Sequence, residues 1–247
     1  MNATRITVWN ENWHEQNDPD VLTRYPDGIH GAIARGLAGH LGAAATVRTA
    51  TQDQPEHGLT EEILAATDTL VWWGHMRHEA VADEVVGRVV EHVLGGMGLV
   101  VLHSGHFSRP FRRLLGTTCS LGWRNDAARE HVWTVSPRHP IVDGVDLPIV
   151  LDQHETYSEF FDIPAPDETI FLSSFSGGEV FRSGVTFTRG HGRIFYFSPG
   201  DEAYPIYHHP EIQKVIANGA QWVAQEGRPH HAPAVVHLAE PEAAAAS

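Results

Sequence analysis

Thr69-Leu70-Val71-Trp72-Trp73 runs into Gly74-His75-Met76-Arg77-His78, and Gly98-Leu99-Val100-Val101-Leu102 runs into His103-Ser104-Gly105-His106. Each is a short apolar run that stops at a polar cluster. That pattern reads as a parallel strand buried on both faces and ending in the loop at its carboxyl edge. Ligands of open α/β sheets bind at that edge. Two such strands place His75 and His103 on one rim. Imidazole is a common metal ligand and a proton carrier near neutral pH.

The flanking sequence alternates strand and helix patterns. Residues 5–9 are β-branched and alternating, and end in the polar loop Asn10-Glu11-Asn12-Trp13-His14-Glu15. Tyr25-Pro26-Asp27-Gly28 is turn chemistry. Ile29, Ile33, Leu37 and Leu41 then predict a helix over 29–41, with His30 in its first turn. A strand over 46–49 and a short helix over 59–66 follow. Val81, Val85, Val89 and Val93 predict a helix over 79–94 closed by Gly95-Gly96. Another helix covers 107–115, with Pro110 near its start. Four strands alternating with helices predict a doubly wound, mostly parallel α/β sheet.

The second half has more strand signals: 131–135, 149–151, 169–173, 180–182, 184–188 and 193–198. Thr188-Arg189-Gly190-His191-Gly192 predicts a hairpin between the last two. A final helix covers 212–224. Residues 1–225 read as one domain and 226–247 as a disordered tail.

The chain has 247 residues, a net charge of −14 with histidine neutral, 18 histidines and one cysteine. The acidic balance argues against nucleic acid. No P-loop and no G-x-G-x-x-G is present, so no nucleotide is expected. No apolar run is long enough for a membrane span. A single cysteine permits no intrachain disulfide, and with no signal-peptide pattern after Met1 a cytoplasmic address is expected.

Four constellations could carry chemistry. At the strand-to-helix turn, Ser104 could be an elbow nucleophile or a capping serine, or His103 could point into the site as base or ligand. His75 is the first residue past its strand and faces the cleft, whereas His78 is expected to face solvent. Asp152-Gln153-His154-Glu155-Thr156-Tyr157-Ser158-Glu159, if extended, puts Glu155, Tyr157 and Glu159 on one side, facing either water or the cleft histidines. Pro199-Gly200-Asp201-Glu202 follows the last strand, with His208 behind it. Scattered histidines and carboxylates of this kind could assemble a divalent transition-metal site, such as zinc.

The chain resembles the ThuA family of trehalose utilisation proteins. The matching stretches are Val8-Trp9-Asn10-Glu11-Asn12, Tyr25-Pro26-Asp27-Gly28-Ile29-His30, Trp72-Trp73-Gly74-His75-Met76, Leu102-His103-Ser104-Gly105-His106-Phe107-Ser108, Gly177-Gly178-Glu179-Val180-Phe181-Arg182-Ser183-Gly184 and Phe195-Tyr196-Phe197-Ser198-Pro199-Gly200. The resemblance implies a fold like the class I glutamine amidotransferases, also flavodoxin-like. Those enzymes carry a cysteine at the elbow; here His103-Ser104-Gly105 stands there, and Cys119 lies well beyond it and is expected to be dispensable. His209-Pro210-Glu211 looks like the His-Pro-Glu of those enzymes, but without a cysteine partner the likeness is read as coincidence. Many relatives carry Gly-His where this chain has Gly200-Asp201.

The resemblance also implies carbohydrate catabolism beside a sugar 3-dehydrogenase. The expected function is proton abstraction from a 3-keto glycoside or related sugar, assisted by a metal, leading to elimination, hydrolysis or isomerisation. His30, His75 and His103 are the expected metal ligands, converging in one cleft. Glu11, His103, Glu155 and Tyr157 are the expected catalytic groups, with Glu11 or Glu155 as base or fourth ligand and Tyr157 as donor to a leaving oxygen. Trp9, Asn10, Trp73, Ser104, His106, Asp201 and His208 are expected to contact the sugar. The partner is a small-molecule sugar, with no nucleic acid and no membrane; a homo-oligomer is left open. The alternative is a non-catalytic sugar-binding or regulatory protein on a degenerate amidotransferase fold.

Overall fold

A computed structural model describes residues 3–224. The domain end at 225 and the tail expected over 226–247 lie outside the described residues. Strands β1 (Thr4–Asn10), β2 (Ala45–Thr51), β3 (Thr69–Trp73) and β4 (Gly98–Leu102) are parallel to one another. Strands β5 (Gly122–Thr134), β6 (Ile149–Ser158), β7 (Glu168–Phe175), β8 (Val180–Arg189) and β9 (Gly192–Phe197) complete one nine-stranded sheet. Its order is β2-β1-β3-β4-β9-β8-β7-β5-β6. β9 runs parallel to β4 and antiparallel to β8, so it joins a parallel half to an antiparallel half. The expected α/β class, with added hairpins in the second half, holds.

β3 and β4 lie inside the parallel half with both faces covered, which is why they are apolar at nearly every position, whereas the edge strand β2 mixes polar and apolar residues. Val100 and Leu102 of β4 enter one core with Ile33 and Leu37 of α3 (Gly28–Leu41) and Val215 and Ile216 of α7 (Pro210–Val223). Leu99 and Val101 enter the other with Val85 and Val89 of α5 (Asp83–Leu94) and Phe111 of α6 (Arg109–Leu115). Each such side chain contributes about 1.5–3 kcal/mol when fully buried. A short helix α4 (Glu61–Ala65) leads into β3. Among the described residues no helix is long and apolar enough to cross a membrane.

The structure corrects several expected elements. The polar loop after β1 contains α1 (His14–Asn17), followed by α2 (Pro19–Arg24). Asp18 caps α2 through Asp20 N–H with Pro19 in its first turn, a legible start signal that periodicity alone misses. Residues 78–80 form a 3-10 turn, and α5 starts at Asp83, where two acidic residues face the helix N-terminus. The segments 180–182 and 184–188 are one strand. Gly184 does not break it; a Cβ there would lie 2.5 Å from the Phe171 ring on β7. β5 extends far upstream of 131 through a polar stretch irregular around Ala127, whose φ is +53°. The hairpin between β8 and β9 is present, with Arg189 opposite Gly192.

Candidate active site

His103 is the elbow residue. β4 ends at Leu102, and His103 takes φ +49° to enter a 3-10 turn over His103–Phe107. A non-glycine residue there is strained, and such strain is held by its surroundings. Ser104 Oγ donates to the Gly74 carbonyl at 3.0 Å, tying this turn to the one after β3. The hydroxyl is thus engaged in bracing the turn, and the imidazole is what the elbow presents.

His103 Nδ1 lies 2.8 Å from the Ser198 carbonyl. A carbonyl only accepts, so Nδ1 carries a proton and Nε2 faces the cluster. Nε2 stands 3.1 Å from Glu155 Oε2, 3.2 Å from the Tyr157 hydroxyl and 3.6 Å from Asp201 Oδ2. The imidazole stacks flat on Tyr157, with ring centroids 4.8 Å apart. His103 and Asp201 are fully buried, and Glu155 and Tyr157 nearly so. Burial alone would lower the pKa of His103; Asp201 and Glu155 outweigh it and raise it to about 10. Burial raises Asp201, and the imidazolium of His103 outweighs that, leaving it at about 2. The cluster therefore holds an imidazolium between two carboxyl groups.

A second group lies beside the first. His75 Nδ1 is 2.7 Å from Glu202 Oε2, and His14 Nε2 is 3.6 Å from Glu202 Oε1. The His14 and His75 ring centroids are 5.2 Å apart, and those of His75 and His103 are 6.1 Å apart. His75 keeps a quarter of its side chain exposed and marks the open side. Burial opposes charge on His75, but Glu202 raises its pKa overall.

The loop after β9 supplies both groups because it is clamped. Gly200 carbonyl accepts from Trp73 Nε1 at 3.0 Å. Gly200 N–H and Asp201 N–H donate to His154 Nε2 at 3.0 and 3.3 Å. His154 Nδ1 meets Glu130 Oε2 at 2.7 Å, with both side chains buried. Asp201 Oδ1 accepts the Ala203 N–H at 2.7 Å. His154 and Glu130 were not among the expected site residues, although His154 sits in the quoted carboxylate-rich stretch. His14 and Glu202 were likewise missed.

The other expected residues have different surroundings. Glu11 accepts backbone N–H groups of His75, Met76 and Arg77 at 3.0, 2.9 and 2.7 Å. Both its oxygens hold the turn after β3, a bracing role rather than that of a free base. Trp9 is in the core, stacked on Trp72 with centroids 3.8 Å apart. Trp73 is fully buried, so both indoles pack rather than open to a ligand. Asn10 Nδ2 reaches Glu15 Oε1 at 2.6 Å and His30 Nδ1 at 2.9 Å, and neither donor group above includes His30. His208 is exposed, stacked on Tyr25 with Nε2 2.9 Å from the Arg24 carbonyl, so it fastens α2. His78, expected at the solvent, is buried, and that burial lowers its pKa to about 4. His209 caps α7 by accepting the Glu211 N–H at 3.2 Å. Cys119 is buried, and burial pushes its thiol up to about 11.

His106 is a neutral packing histidine. Its Nδ1 donates to the Cys119 carbonyl at 2.6 Å, and its ring meets Tyr157, Phe161 and Tyr196 edge-on. Burial lowers its pKa from 6.5 to about 3. The unfolded chain therefore binds a proton below pH 6.5 that the folded chain refuses. Stability from this group is complete above pH 6.5 and falls as pH drops toward 3. Between pH 7.5 and 5.0 the wild type should lose about 2 kcal/mol more than His106→Gln in urea unfolding. Equal pH dependence in the two proteins would remove the assignment.

The ThuA family model, described as trehalose utilisation, matches residues 5–223. A solved ThuA-like protein from Parabacteroides merdae is 16% identical, with a TM-score of 0.64 over 93% of this chain and 92% of that one. A ThuA-like protein from Bacteroides uniformis is 13% identical, with a TM-score of 0.60 over 92% of this chain and 95% of that one. A cold-adapted β-galactosidase from Rahnella sp. R3 is 14% identical, with a TM-score of 0.55, and matches over 90% of this chain but 32% of its own. At these identities the likeness is one of fold. No curated protein matches the chain.

Proposed function

Because the chain belongs to the ThuA family, whose description is trehalose utilisation, we propose that it is a carbohydrate-metabolism enzyme that abstracts the C2 proton of a 3-keto glycoside. The observation that carries this reading is the buried contact of His103 Nε2 with Glu155, Tyr157 and Asp201. A ketone at C3 makes the C2 proton acidic. Removing it takes a base beside C2, a donor at the C3 oxygen as it gains charge, and an acid for the leaving group.

The cluster contains one group for each task. Glu155 takes the proton, since Glu11 is committed to three backbone N–H groups. His103, whose proton Glu155 and Asp201 stabilise, donates to the C3 oxygen. The C2–H electron pair forms the enediolate. Its collapse breaks the C1–O1 bond, and the pair leaves on O1. Tyr157 protonates that oxygen, which as an alkoxide is basic enough to take a phenol proton. The proton on Glu155 then restores the tyrosine. Water adding across C1=C2, with OH to C1 and the proton to C2, completes hydrolysis, and reprotonation of the enediolate at C2 from the opposite face gives the C2 epimer instead. The sugar enters past His75, the part-exposed neighbour of the cluster. Dehydrogenation at C3 makes such a substrate, so a sugar 3-dehydrogenase acts upstream.

Sugar binding without turnover is the second reading, favoured by the complete burial of His103 and Asp201. Exchange in deuterated water separates the two. With 3-keto-trehalose the wild type should wash deuterium into C2, seen as loss of the H2 proton resonance. Saturable binding of the sugar with no exchange and no product would establish the second reading instead.

A further inference from the structure

We propose that His14, His75 and Glu202 bind one divalent transition-metal ion at the outer edge of the His103 cluster. The three donor atoms lie within 4.8 Å of one another. Glu202 turns one oxygen to each imidazole, Oε2 at 2.7 Å from His75 Nδ1 and Oε1 at 3.6 Å from His14 Nε2. Two imidazoles and one carboxylate form a borderline donor set suited to zinc or another first-row ion, with coordination positions left for water or substrate.

A second, independent observation points to a ligand. His14 is 9% exposed, and its Nε2 is buried without a hydrogen-bond partner. Its nearest carboxylate oxygen, at 3.6 Å, is too far for a hydrogen bond. A buried imidazole nitrogen left so is costly unless something else occupies it. A cation between His14, His75 and Glu202 meets that need.

Each donor also rests on a braced backbone. Glu11 accepts the N–H of His75 and of the two residues after it. The Gly200 and Asp201 N–H groups bonded to His154 fix the loop that carries Glu202. Such supports hold ligands in place before the ion arrives. The inner group of His103, Glu155 and Asp201 is a poorer home. There His103 Nε2 already faces both carboxyl groups at 3.1 and 3.6 Å, and the Tyr157 hydroxyl shares it at 3.2 Å. This assignment keeps His75 from the ligand set read in the sequence and replaces His30 and His103 with His14 and Glu202. It stands apart from the proposed sugar chemistry, because it is measured with no sugar present.

The test is metal binding by the chelator-treated full chain. Titration with Co²⁺ should give one equivalent bound, with visible d–d absorption of a nitrogen- and oxygen-ligated ion, and competition with Zn²⁺ should bleach it. His14→Gln and Glu202→Gln should each weaken binding at least about tenfold to a hundredfold, with circular dichroism unchanged. Glu155→Gln should still bind one equivalent. Failure of the folded wild type to bind either ion overturns the proposal. So does binding that survives both outer substitutions and is lost in Glu155→Gln, which places the ion in the inner group.

Discussion

Glu155→Gln is expected to lower turnover of a 3-keto glycoside by about a hundredfold to ten-thousandfold, the range of a lost general base. The substitution preserves shape and removes the proton acceptor. Asp201 still faces His103 Nε2 at 3.6 Å, so the imidazole keeps one carboxylate and the elbow stays seated. Thermal unfolding should therefore stay near wild type while the rate collapses. Tyr157→Phe should behave differently. It removes the proposed leaving-group acid and keeps the proposed base, so C2 exchange should persist while product formation falls. Turnover of Glu155→Gln within a few-fold of wild type would reject Glu155 as the base. Equal loss of exchange and product in Tyr157→Phe would reject the division of labour.

Gly200→Ala should cost about 1–3 kcal/mol of stability, the usual penalty for overpacking a closed core. A Cβ at this position would collide with the Tyr207 hydroxyl oxygen and lie 2.6 Å from its Cζ and 3.2 Å from His103 Cβ. Tyr207 is fully buried. Relief must come from the loop, which pulls the Gly200 carbonyl from Trp73 and its N–H from His154. Turnover should fall along with stability. Gly39→Ala on α3 is the control, because a Cβ there meets nothing within 4 Å and alanine is the better helix former. Urea unfolding compares the two. Gly200→Ala with wild-type stability would show that the loop is not clamped as described, and Gly200→Ala/Tyr207→Phe should recover part of the loss.

The centre of the parallel half is legible because β3 and β4 are apolar on both faces and stop abruptly at polar residues. That pattern placed His75 and His103 on one edge, and their ring centroids are 6.1 Å apart. Choosing between His103 and Ser104 needed a backbone angle, which sequence pattern does not carry. His14 was hidden because a four-residue helix has too little length for periodicity. Glu202 carries no legible role beside Asp201, since adjacent loop residues have no fixed facing. Glu130 and His154 lie on β5 and β6, where a bulged register breaks the period-two rule that would have aligned them. Glu11 reads as chemical in the sequence because it is a carboxylate at a strand end. Its actual partners are three main-chain N–H groups, which look the same for every side chain in the sequence.

Asp201 and Glu202 are joined by one peptide bond, yet one faces the inner imidazolium and the other the outer histidines. The two groups therefore share a pivot. A backbone rotation that seats one carboxylate moves the other as well. Reciprocity then applies: by whatever factor an outer ligand changes the proton affinity of His103, protonation of His103 changes the affinity for that ligand by the same factor.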